Sequence, residues 1–405
     1  MTHPNKNVPE LRFPEFEGEW EENRLETLVN FSKGKLLGKK DLSEDGSYPC
    51  ILYGELYTKY GAIINTIQSR TNVNPNKLKK AGNNQVLIPS SGETVEDIAT
   101  ASAINVNDDV YIGGDLNILT PKKDDGRFIS LSLNSVNKWN VSRFAQGKTV
   151  VHLYNSDLKN LKINIPVQFE EQQKTGDFFS KLDHQIELEE QKLALLEEQK
   201  EGYMQKIFSQ ELRFKDDNGE NYPEWENKYL HEISDLNPKS NYLPDKFYYI
   251  DLESVNNGQI NQLKVVNKIN APSRAQRLAK KHDVFYQTVR PYQKNNFINL
   301  SNRNDIVVST GYAQLRPLVH YYYLYTLLLT NSFVNKVLVK CTGTNYPAIN
   351  SKDLSLISIL SSSVLEEQQK IGDFFNKLDQ QIELQGQKIE CLKQRKKGLL
   401  QKMFV

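Results

Sequence analysis

The sequence from Glu170 to Phe208 is EEQQKTGDFFSKLDHQIELEEQKLALLEEQKEGYMQKIF, and it decides the fold because it occurs twice. The second copy, EEQQKIGDFFNKLDQQIELQGQKIECLKQRKKGLLQKMF, runs from Glu366 to Phe404 at a constant offset of 196, with 24 of 39 positions identical. Neither copy contains proline, and both are rich in Glu, Gln, Lys and Leu, so each predicts one long helix. About 40 residues at ~1.5 Å per residue give a rod of roughly 60 Å. The chain is therefore a tandem duplication.

Apolar residues recur within each copy at successive spacings of 4, 7, 3, 7 and 4, which is a heptad pattern. We expect the copies to form an antiparallel coiled coil, with Glu189 opposite Lys396 and Lys200 opposite Gln385. Their net charges of −5 and +2 favour pairing within the chain. The alternative is two solvated helices that each cap their own domain. The predicted seam comprises Leu182, Ile186, Glu189, Leu193, Leu196, Lys200, Tyr203, Ile207, Leu378, Ile382, Gln385, Ile389, Leu392, Lys396, Leu399 and Met403.

The composition is that of a globular chain long enough for two cores, with 405 residues of which 38% are hydrophobic. The net charge is only +1, but residues 229 to 365 hold 15 basic and 8 acidic side chains. The three cysteines have no paired spacing and indicate neither a disulfide framework nor a zinc site. The only long apolar run, Tyr321 to Leu329, is too short to span a membrane, so we expect a cytoplasmic protein.

The duplicated unit is larger than the helix. The motif Glu-Leu-Arg-Phe occurs at 10–13 and returns at 211–214, directly after the first helix. This order predicts a first globular domain at 1–169, a helix at 170–208, a second globular domain at 209–365 and a helix at 366–405. Because the first helix runs directly into the second motif, pseudo-two-fold symmetry places the C-terminus beside the first motif, in a circularly closed arrangement.

Both globular segments predict an α/β (α+β) fold. Residues 247–255, 282–289 and 304–310 have the apolar patterns of strands, and residues 318–338 predict a helix with a tyrosine-rich face in the core. The stretches 31–105 and 237–300 show no alignment with each other. A shared frame with divergent inserts predicts two different recognition surfaces.

Motifs for catalysis are missing from the sequence. The segment GKLLGKK at 34–40 lacks the spacing and the hydroxyl of a phosphate-binding loop, and no Pro-Pro turn of an amino-methyltransferase occurs. The carboxylates Asp245, Asp251 and Glu253 are followed by no lysine at the spacing of a metal-dependent nuclease, and the six histidines form no i, i+3 or i, i+4 pair. The sequence therefore predicts a binding protein without a metal site.

Basic and amide side chains in turns, interleaved with tyrosines, indicate DNA as the ligand. Arginine can bind guanine through two hydrogen bonds and glutamine can bind adenine, whereas lysine mostly contacts phosphate. The predicted DNA-binding residues are Lys35, Lys39, Lys40, Tyr57, Lys59, Tyr60, Arg70 and Lys148 in the first half, and Lys239, Arg274, Gln276, Arg277, Arg290, Lys294 and Arg303 in the second.

The order of PELRFPEF, a globular segment and the EEQQKIGDFF helix, repeated once, resembles the specificity subunit of type I restriction-modification systems. The stretches YIDLESVNNGQI, APSRAQR, DVFYQTVRP and STGYAQLRP add to this resemblance, which covers essentially the whole chain. It implies that each globular segment is a target recognition domain for one half of a split, asymmetric sequence in double-stranded DNA. It also implies that the helix pair sets the spacer between the halves.

The resemblance further implies partners rather than a catalytic centre, and no cofactor in this chain. Two methyltransferase subunits that use S-adenosylmethionine for adenine-N6 methylation would dock on the helices, and translocase-nuclease subunits would use ATP with Mg²⁺. Two alternatives remain open. One is a free-standing DNA-binding scaffold or regulator without methyltransferase partners, and the other is a nuclease with an unrecognised site.

Overall fold

The computed structural model describes residues 7–147, 150–240 and 242–405. The chain forms two compact units, one of residues 1–190 with 388–405 and one of residues 191–387. Each long helix contributes to both units, because the first is Phe169–Phe208 and the second is Leu365–Lys402. The fold is mixed α/β with two long helices, as the sequence predicts.

The first unit is built on a five-stranded and a four-stranded sheet. Its strands, β1 to β13, are Glu21–Arg24, Val29–Lys33, Tyr48–Ile51, Ile63–Ile64, Ser69–Thr71, Lys79–Ala81, Val86–Pro89, Ser91–Gly92, Ser102–Ile104, Val110–Ile112, Leu116–Pro121, Val151–His152 and Lys162–Ile165. The helices that begin in it, α1 to α7, are Leu25–Leu28, Glu55–Thr58, Val95–Ile98, Gly126–Asn134, Lys138–Arg143, Asn155–Leu158 and Phe169–Phe208.

The five-stranded sheet of the first unit has a central strand that is buried on both faces. The five-stranded sheet has the order β2-β11-β7-β9-β4, and all four residues of β7 are buried. Helix α4 packs Phe128 and Leu131 into the same core as Val86 and Leu119 of this sheet. The four-stranded sheet has the order β5-β3-β10-β6, with β3 and β10 parallel and the outer strands antiparallel to their neighbours.

The second unit has two four-stranded sheets, β15-β24-β21-β22 and β19-β16-β23-β20. Its strands, β14 to β25, are Glu226–Tyr229, Ser234–Leu236, Lys246–Ile250, Val255–Asn256, Gln259–Ile260, Lys264–Asn267, Ala275–Leu278, Val284–Gln287, Phe297–Ile298, Ile306–Ser309, Tyr312–Pro317 and Ser358–Ser361. The helices that begin in it, α8 to α12, are Leu230–Ile233, Tyr321–Leu329, Asn331–Lys340, Ser351–Ser355 and Leu365–Lys402.

The two units share a topology across the stretches whose sequences do not align. The sheet β19-β16-β23-β20 matches β5-β3-β10-β6 in strand order and sense, with β16 and β23 parallel. The strands β15-β24-β21 likewise correspond to β2-β11-β7. The connections differ, since α3 follows β7 and β8 in the first unit, whereas the short turn Pro291–Gln293 follows β21 in the second. Apolar strand runs therefore preserve the frame while the loops diverge.

Residues 318–338 form two helices rather than the single predicted helix. Helices α9 and α10 are separated at Thr330, whose hydroxyl accepts a hydrogen bond from the backbone N–H of Phe333 at 3.2 Å. This N-cap starts a new helix. Tyr322 and Tyr323 are buried, so the tyrosine-rich face lies in the core, as predicted.

In the first unit, the start of α7 and the end of α12 run antiparallel. Asp183 forms an ion pair with Lys396, and further along α7 Glu189 pairs with Lys388 at 2.5 Å. The buried apolar residues of this contact include Leu182, Ile186, Leu392 and Met403. This part of the helix pair is thus a packed seam with ion pairs at its margin.

In the second unit, the end of α7 and the start of α12 are antiparallel too. Lys200 pairs with Asp379 at 2.5 Å, and the ring of Tyr203 packs edge-on against Phe374 at 5.2 Å. The hydroxyl of Tyr322 donates a hydrogen bond to Asp379 at 2.8 Å, which ties α9 to the helix pair. Asp379 therefore neutralises the lysine and anchors the globular part of this unit.

The predicted register of the seam is wrong. Lys396 and Lys200 pair with Asp183 and Asp379 rather than with Glu189 and Gln385. The observed register gives each lysine a carboxylate, whereas the predicted one would have set Lys200 against a neutral amide. The two ion pairs remain equivalent at the offset of 196 residues. Of the predicted seam residues, all but Tyr203 are buried or half-buried.

The motif at 10–13 lies against the C-terminal end of α12. The N–H of Leu11 donates to the carbonyl of Lys402 at 2.9 Å, and the ammonium of Lys402 contacts Glu10 at 2.6 Å. In the second unit the N–H of Leu212 donates to the carbonyl of Lys206 at 3.0 Å, where the chain is continuous. The end of α12 thus lies beside the motif at 10–13, as predicted. The hydrogen bond from Leu11 to Lys402 corresponds to the one from Leu212 to Lys206, where the helix and the motif are joined by the chain itself.

A buried carboxylate joins the same motif to the start of α7. Glu171 is 1% exposed and accepts two hydrogen bonds from the guanidinium of Arg12, both at 2.7 Å. The indole N–H of Trp20 also donates to Glu171 at 3.2 Å. In the second unit, Trp225 donates to Glu367 at 2.9 Å, but the equivalent Arg213 donates to backbone carbonyls instead.

The glycine of each GDFF motif lets the globular part approach the helix. A Cβ added to Gly372 would lie 2.2 Å from Nδ1 of His320, and one added to Gly176 would lie 2.9 Å from Nε of Arg127. Gly398 lies in the same helix as Gly372, but a Cβ there would meet nothing within 4 Å. The motif glycine is therefore required by packing, whereas Gly398 is not.

We expect Gly372→Ala and Gly398→Ala to change stability in opposite directions. The first overpacks the contact with His320 and should destabilise the chain by about 1–3 kcal/mol. The second only improves helix propensity and should stabilise it by about 0.5–1 kcal/mol. Thermal unfolding followed by circular dichroism measures both. Equal shifts of the unfolding midpoint in the two variants would contradict this account.

We expect Glu171→Ala to be more damaging than the matched variant Glu367→Ala. The first removes a buried carboxylate and leaves the half-buried guanidinium of Arg12 without its counter-charge, which costs about 3–5 kcal/mol. The second removes the hydrogen bond of an indole and costs about 1–3 kcal/mol. Urea denaturation of both purified variants tests the difference, and a larger loss in Glu367→Ala would refute the proposed role of Arg12.

Candidate nucleic-acid interface

Strand ends bring several predicted DNA contacts to one edge of the second unit. The end of β21 lies beside the start of β24, and the start of β20 lies beside the end of β23. Backbone hydrogen bonds join the loops there, from Thr310 to Arg274 at 2.9 Å and from Arg290 to Pro347 at 2.7 Å. We call this set of loops the loop edge, and it comprises residues 273–274, 288–296, 310–311 and 342–348.

Arg290 and Lys294 flank the turn Pro291–Gln293 on the loop edge. Both have left-handed backbone, with φ of 54° and 53°. The guanidinium carbon of Arg290 lies 4.2 Å from the centroid of the Tyr346 ring, and its Nε is buried without a hydrogen-bond partner in the described structure. The ammonium of Lys294 is held by the side-chain oxygen of Asn331 at 2.8 Å.

Arg277 on β20 is a half-buried cation with no carboxylate paired to it within the described ranges. Its Nε has no hydrogen-bond partner there, and burial lowers the pKa of its guanidinium. A buried charge without a counter-charge is costly, and such groups concentrate at functional sites. Arg274, Gln276 and Lys239 are exposed, and the Gln276 amide donates to the carbonyl of Ser273 at 2.7 Å.

Other predicted contacts have structural partners. Arg303 makes two hydrogen bonds of 2.7 Å to Asp305 and lies over the ring of Tyr248, next to the start of β23 and away from the loop edge. Lys59 pairs with the buried carboxylate of Glu55 at 2.7 Å. Arg303 and Lys59 therefore each have a structural role within their own unit. Residue type alone could not reveal these ion pairs.

Two more predicted residues of the first unit also stabilise local structure. The hydroxyl of Tyr60 accepts a hydrogen bond from the N–H of Gln68 at 2.9 Å, and burial raises the pKa of Tyr60 to about 12. The guanidinium of Arg70 donates to the carbonyl of Ser47 at 2.8 Å. Both side chains therefore contribute to the loops around the four-stranded sheet.

The remaining candidates of the first unit lie in an exposed basic loop. Lys35, Lys39 and Lys40 are exposed, and Leu36 beside them has left-handed backbone and is 65% exposed. The loop packs tightly, because a Cβ on Gly34 would lie 1.8 Å from a backbone oxygen of residue 113. Tyr57 is half-buried, and Lys148 lies outside the described residues.

A basic cavity of about 450 Å³ lies on the opposite edge of the second unit. The cavity was not predicted from the sequence, although two adjacent lysines and two histidines line it. The imidazole of His282 stacks on Tyr321 at 4.1 Å. Burial and the neighbouring Lys281 lower the pKa of His282, and burial lowers that of His320. Its lining residues are Lys280, Lys281, His282, Arg316, Pro317, Val319, His320, Tyr321 and Leu365.

The described residues include no group of three or more His, Cys, Asp or Glu side chains that could hold a metal ion. Arg316 at the basic cavity is neutralised by Asp283, which is 1% exposed and accepts hydrogen bonds of 2.9 Å. In the part of the chain described, no helix is long and apolar enough to cross a membrane. The basic cavity and the loop edge each present charged and aromatic side chains on the second unit.

The chain is similar to proteins of restriction-modification systems. The type I restriction enzyme HindI specificity subunit of Haemophilus influenzae is 28% identical over 162 residues, which cover 39% of this chain. The match spans only 35% of that protein, about a third of its length.

Two solved structures share the fold. The S subunit of a type I restriction-modification system from M. genitalium superposes with a TM-score of 0.65 at 18% identity, covering 98% of this chain and 99% of that chain. A chain from a study of complex assembly and conformational transition of the type I R-M system gives a TM-score of 0.51 at 16% identity, covering 95% and 97%.

The family model for the type I restriction modification DNA specificity domain matches twice, at residues 17–198 and 205–394. These matches cover most of the chain and coincide with its duplication. Specificity subunits of such systems are non-catalytic, so family membership classifies the chain as a non-enzyme. The chain belongs to the type I restriction modification DNA specificity domain family.

Proposed function

We propose that this chain reads a bipartite, asymmetric sequence in double-stranded DNA, with one half-site for each unit. The observation that carries the proposal is the pair of units with one topology and different loops at the strand ends. The first presents the lysine loop at 35–40, and the second presents the arginines of the loop edge. Loops on a common frame are where binding specificity diverges.

The surfaces have the chemistry that DNA requires. Exposed lysines at 35, 39 and 40 suit phosphate, which supplies affinity without sequence information. Arg274 and Arg290 of the loop edge suit base edges, because a guanidinium can donate two hydrogen bonds to guanine. Predicted DNA-binding residues whose side chains already stabilise the fold, such as Arg303, are not proposed to contact DNA.

The proposed partners are two methyltransferase subunits docked on the long helices. Leu188 and Leu384 occupy equivalent positions in the two helices and are 50% and 64% exposed. An equivalent exposed leucine in each repeat suits two copies of one partner. The methyltransferase subunits would carry out adenine-N6 methylation with S-adenosylmethionine. Translocase-nuclease subunits, as further partners, would use ATP with Mg²⁺. The complex acts on DNA in the cytoplasm.

Single-molecule mapping of methylated adenines tests the proposed function. DNA is taken from a host that carries the chain with its methyltransferase subunit, and from the same host lacking only this chain. The proposal expects one bipartite motif that disappears when the chain is absent. Unchanged methylation would reject it and would favour a free-standing DNA-binding scaffold, whereas metal-dependent cleavage by the purified chain would identify a nuclease.

The helix pair is proposed to set the spacer of the motif. Seven residues inserted in each long helix, after Glu190 and after Gln387, preserve the heptad pattern and leave the ion pairs within each unit intact. One heptad adds ~10 Å of helix, equivalent to about three base pairs. Methylation mapping should show a longer spacer between unchanged half-sites. A motif with the original spacer would disprove the ruler.

A further inference from the structure

The backbone around Arg290 is held in a strained conformation. Its φ of 54° and ψ of 56° are left-handed, and a proline follows it. A non-glycine residue in this region costs about 1–3 kcal/mol and persists only where the surroundings enforce it. Here the N–H of Arg290 donates to the carbonyl of Pro347 at 2.7 Å, and its carbonyl accepts from the N–H of Gln293 at 3.0 Å. The fold therefore fixes the direction in which this side chain leaves the loop.

The guanidinium of Arg290 is oriented as well, and the described residues leave its hydrogen-bonding capacity unused. It lies over Tyr346 at 4.2 Å, an arrangement in which the ring faces the cation. Its Nε is buried without a partner, and no carboxylate pairs with it across the described ranges. Stacking orients the plane while leaving the outer N–H groups available for another acceptor.

Two other arginines in this unit have structural roles and serve as a comparison for Arg290. Arg316 makes hydrogen bonds of 2.9 Å to the buried carboxylate of Asp283, and Arg303 makes hydrogen bonds of 2.7 Å to Asp305. Both also neutralise their charge in these contacts. Arg290 is likewise held in place but has no counter-charge among the described residues, which leaves it available to an acceptor outside the chain.

The ligand must present two acceptors in one plane, because the guanidinium donates as a planar fork. In double-stranded DNA, O6 and N7 of guanine form such a pair in the major groove. A phosphate can also accept two hydrogen bonds from a guanidinium, but a contact that only holds the backbone does not require the fixed plane seen here, since a flexible lysine binds phosphate as a point charge. The neighbouring cation, Lys294, is already held by Asn331 at 2.8 Å, so the loop does not present a cluster of cations for the backbone.

We propose that Arg290, oriented by Tyr346, reads one guanine in the half-site bound by the second unit. The inference rests on the proposed function and adds the base and the residue that reads it. The corresponding loop of the first unit, residues 90–101, contains Glu93, Glu96 and Asp97 but no arginine. This arginine contact therefore belongs to the second unit only, and the two half-sites are read differently at this position.

Methylation mapping of variants in the complete complex tests the assignment. Arg290→Ala should relax one guanine of one half-site, lowering the preference for it roughly 5- to 150-fold, while the other half-site and the spacer stay unchanged. Arg290→Gln should shift the preference at that position to adenine, since a glutamine amide pairs with adenine N6 and N7. Arg303→Ala is the matched control and should leave the motif unchanged.

Three outcomes would overturn the assignment. A uniform loss of methylation with an unchanged motif would identify a phosphate contact instead. An unchanged extent and motif in Arg290→Ala would remove Arg290 from the interface. Loss of all methylation in both Arg290 variants, in chains whose unfolding temperature is unchanged, would assign a role other than reading one base. Absence of any bipartite motif with the wild-type chain would instead reject the proposed function.

Tyr346 is assigned as the positioning residue. Tyr346→Phe retains the ring under the guanidinium and should keep the guanine preference, whereas Tyr346→Leu should weaken it at the position affected by Arg290→Ala. Equal motifs in the Phe and Leu variants would show that stacking does not orient Arg290. Relaxation at a different base would show that Tyr346 contacts DNA itself.

Discussion

The rest of the structure depends on the antiparallel contact between two long helices inside each unit. In the first unit it is closed by the ion pair of Asp183 and Lys396, and in the second by the equivalent pair of Asp379 and Lys200. Because one helix ends each repeat, this pairing also returns the end of the chain to the motif at 10–13. In the first unit a hydrogen bond joins the end of α12 to this motif. In the second unit the chain itself runs from the end of α7 into the equivalent motif, over residues 206–212. A duplicated sequence thereby becomes two units with the same internal support.

In both units the globular part packs closely against the glycine of the GDFF motif, but the side chain that makes this contact differs. Gly176 accommodates Arg127 in the first unit, and Gly372 accommodates His320 in the second. The glycine is repeated because a close approach requires it, whereas the side chain that fills the space is free to differ. The same division applies to the sheets, whose strands correspond while the loops at their ends do not. Recognition surfaces can therefore change without disturbing the support beneath them.

The sequence predicted the features that depend on local periodicity, and it missed those that depend on tertiary partners. The duplication, both long helices and the tyrosine-rich core followed from patterns within single segments. The register was predicted wrongly because the acidic partners of Lys200 and Lys396 lie outside the polar seam positions that the heptad pattern marked. Residue type could not separate Arg303, which is neutralised by Asp305, from Arg290, for which the described structure contains no such partner. The shared topology of residues 31–105 and 237–300 was likewise invisible, since apolar strands tolerate many sequences.

The central claim is that two separate sets of bases are recognised through two units on one support. Missing-nucleoside interference tests it most directly, because it measures which individual bases are needed for binding of the complex formed with the methyltransferase subunits. The account predicts two clusters of required bases, separated by positions whose removal has no effect. A single continuous cluster, or a binding strength that depends on no particular base, would contradict it.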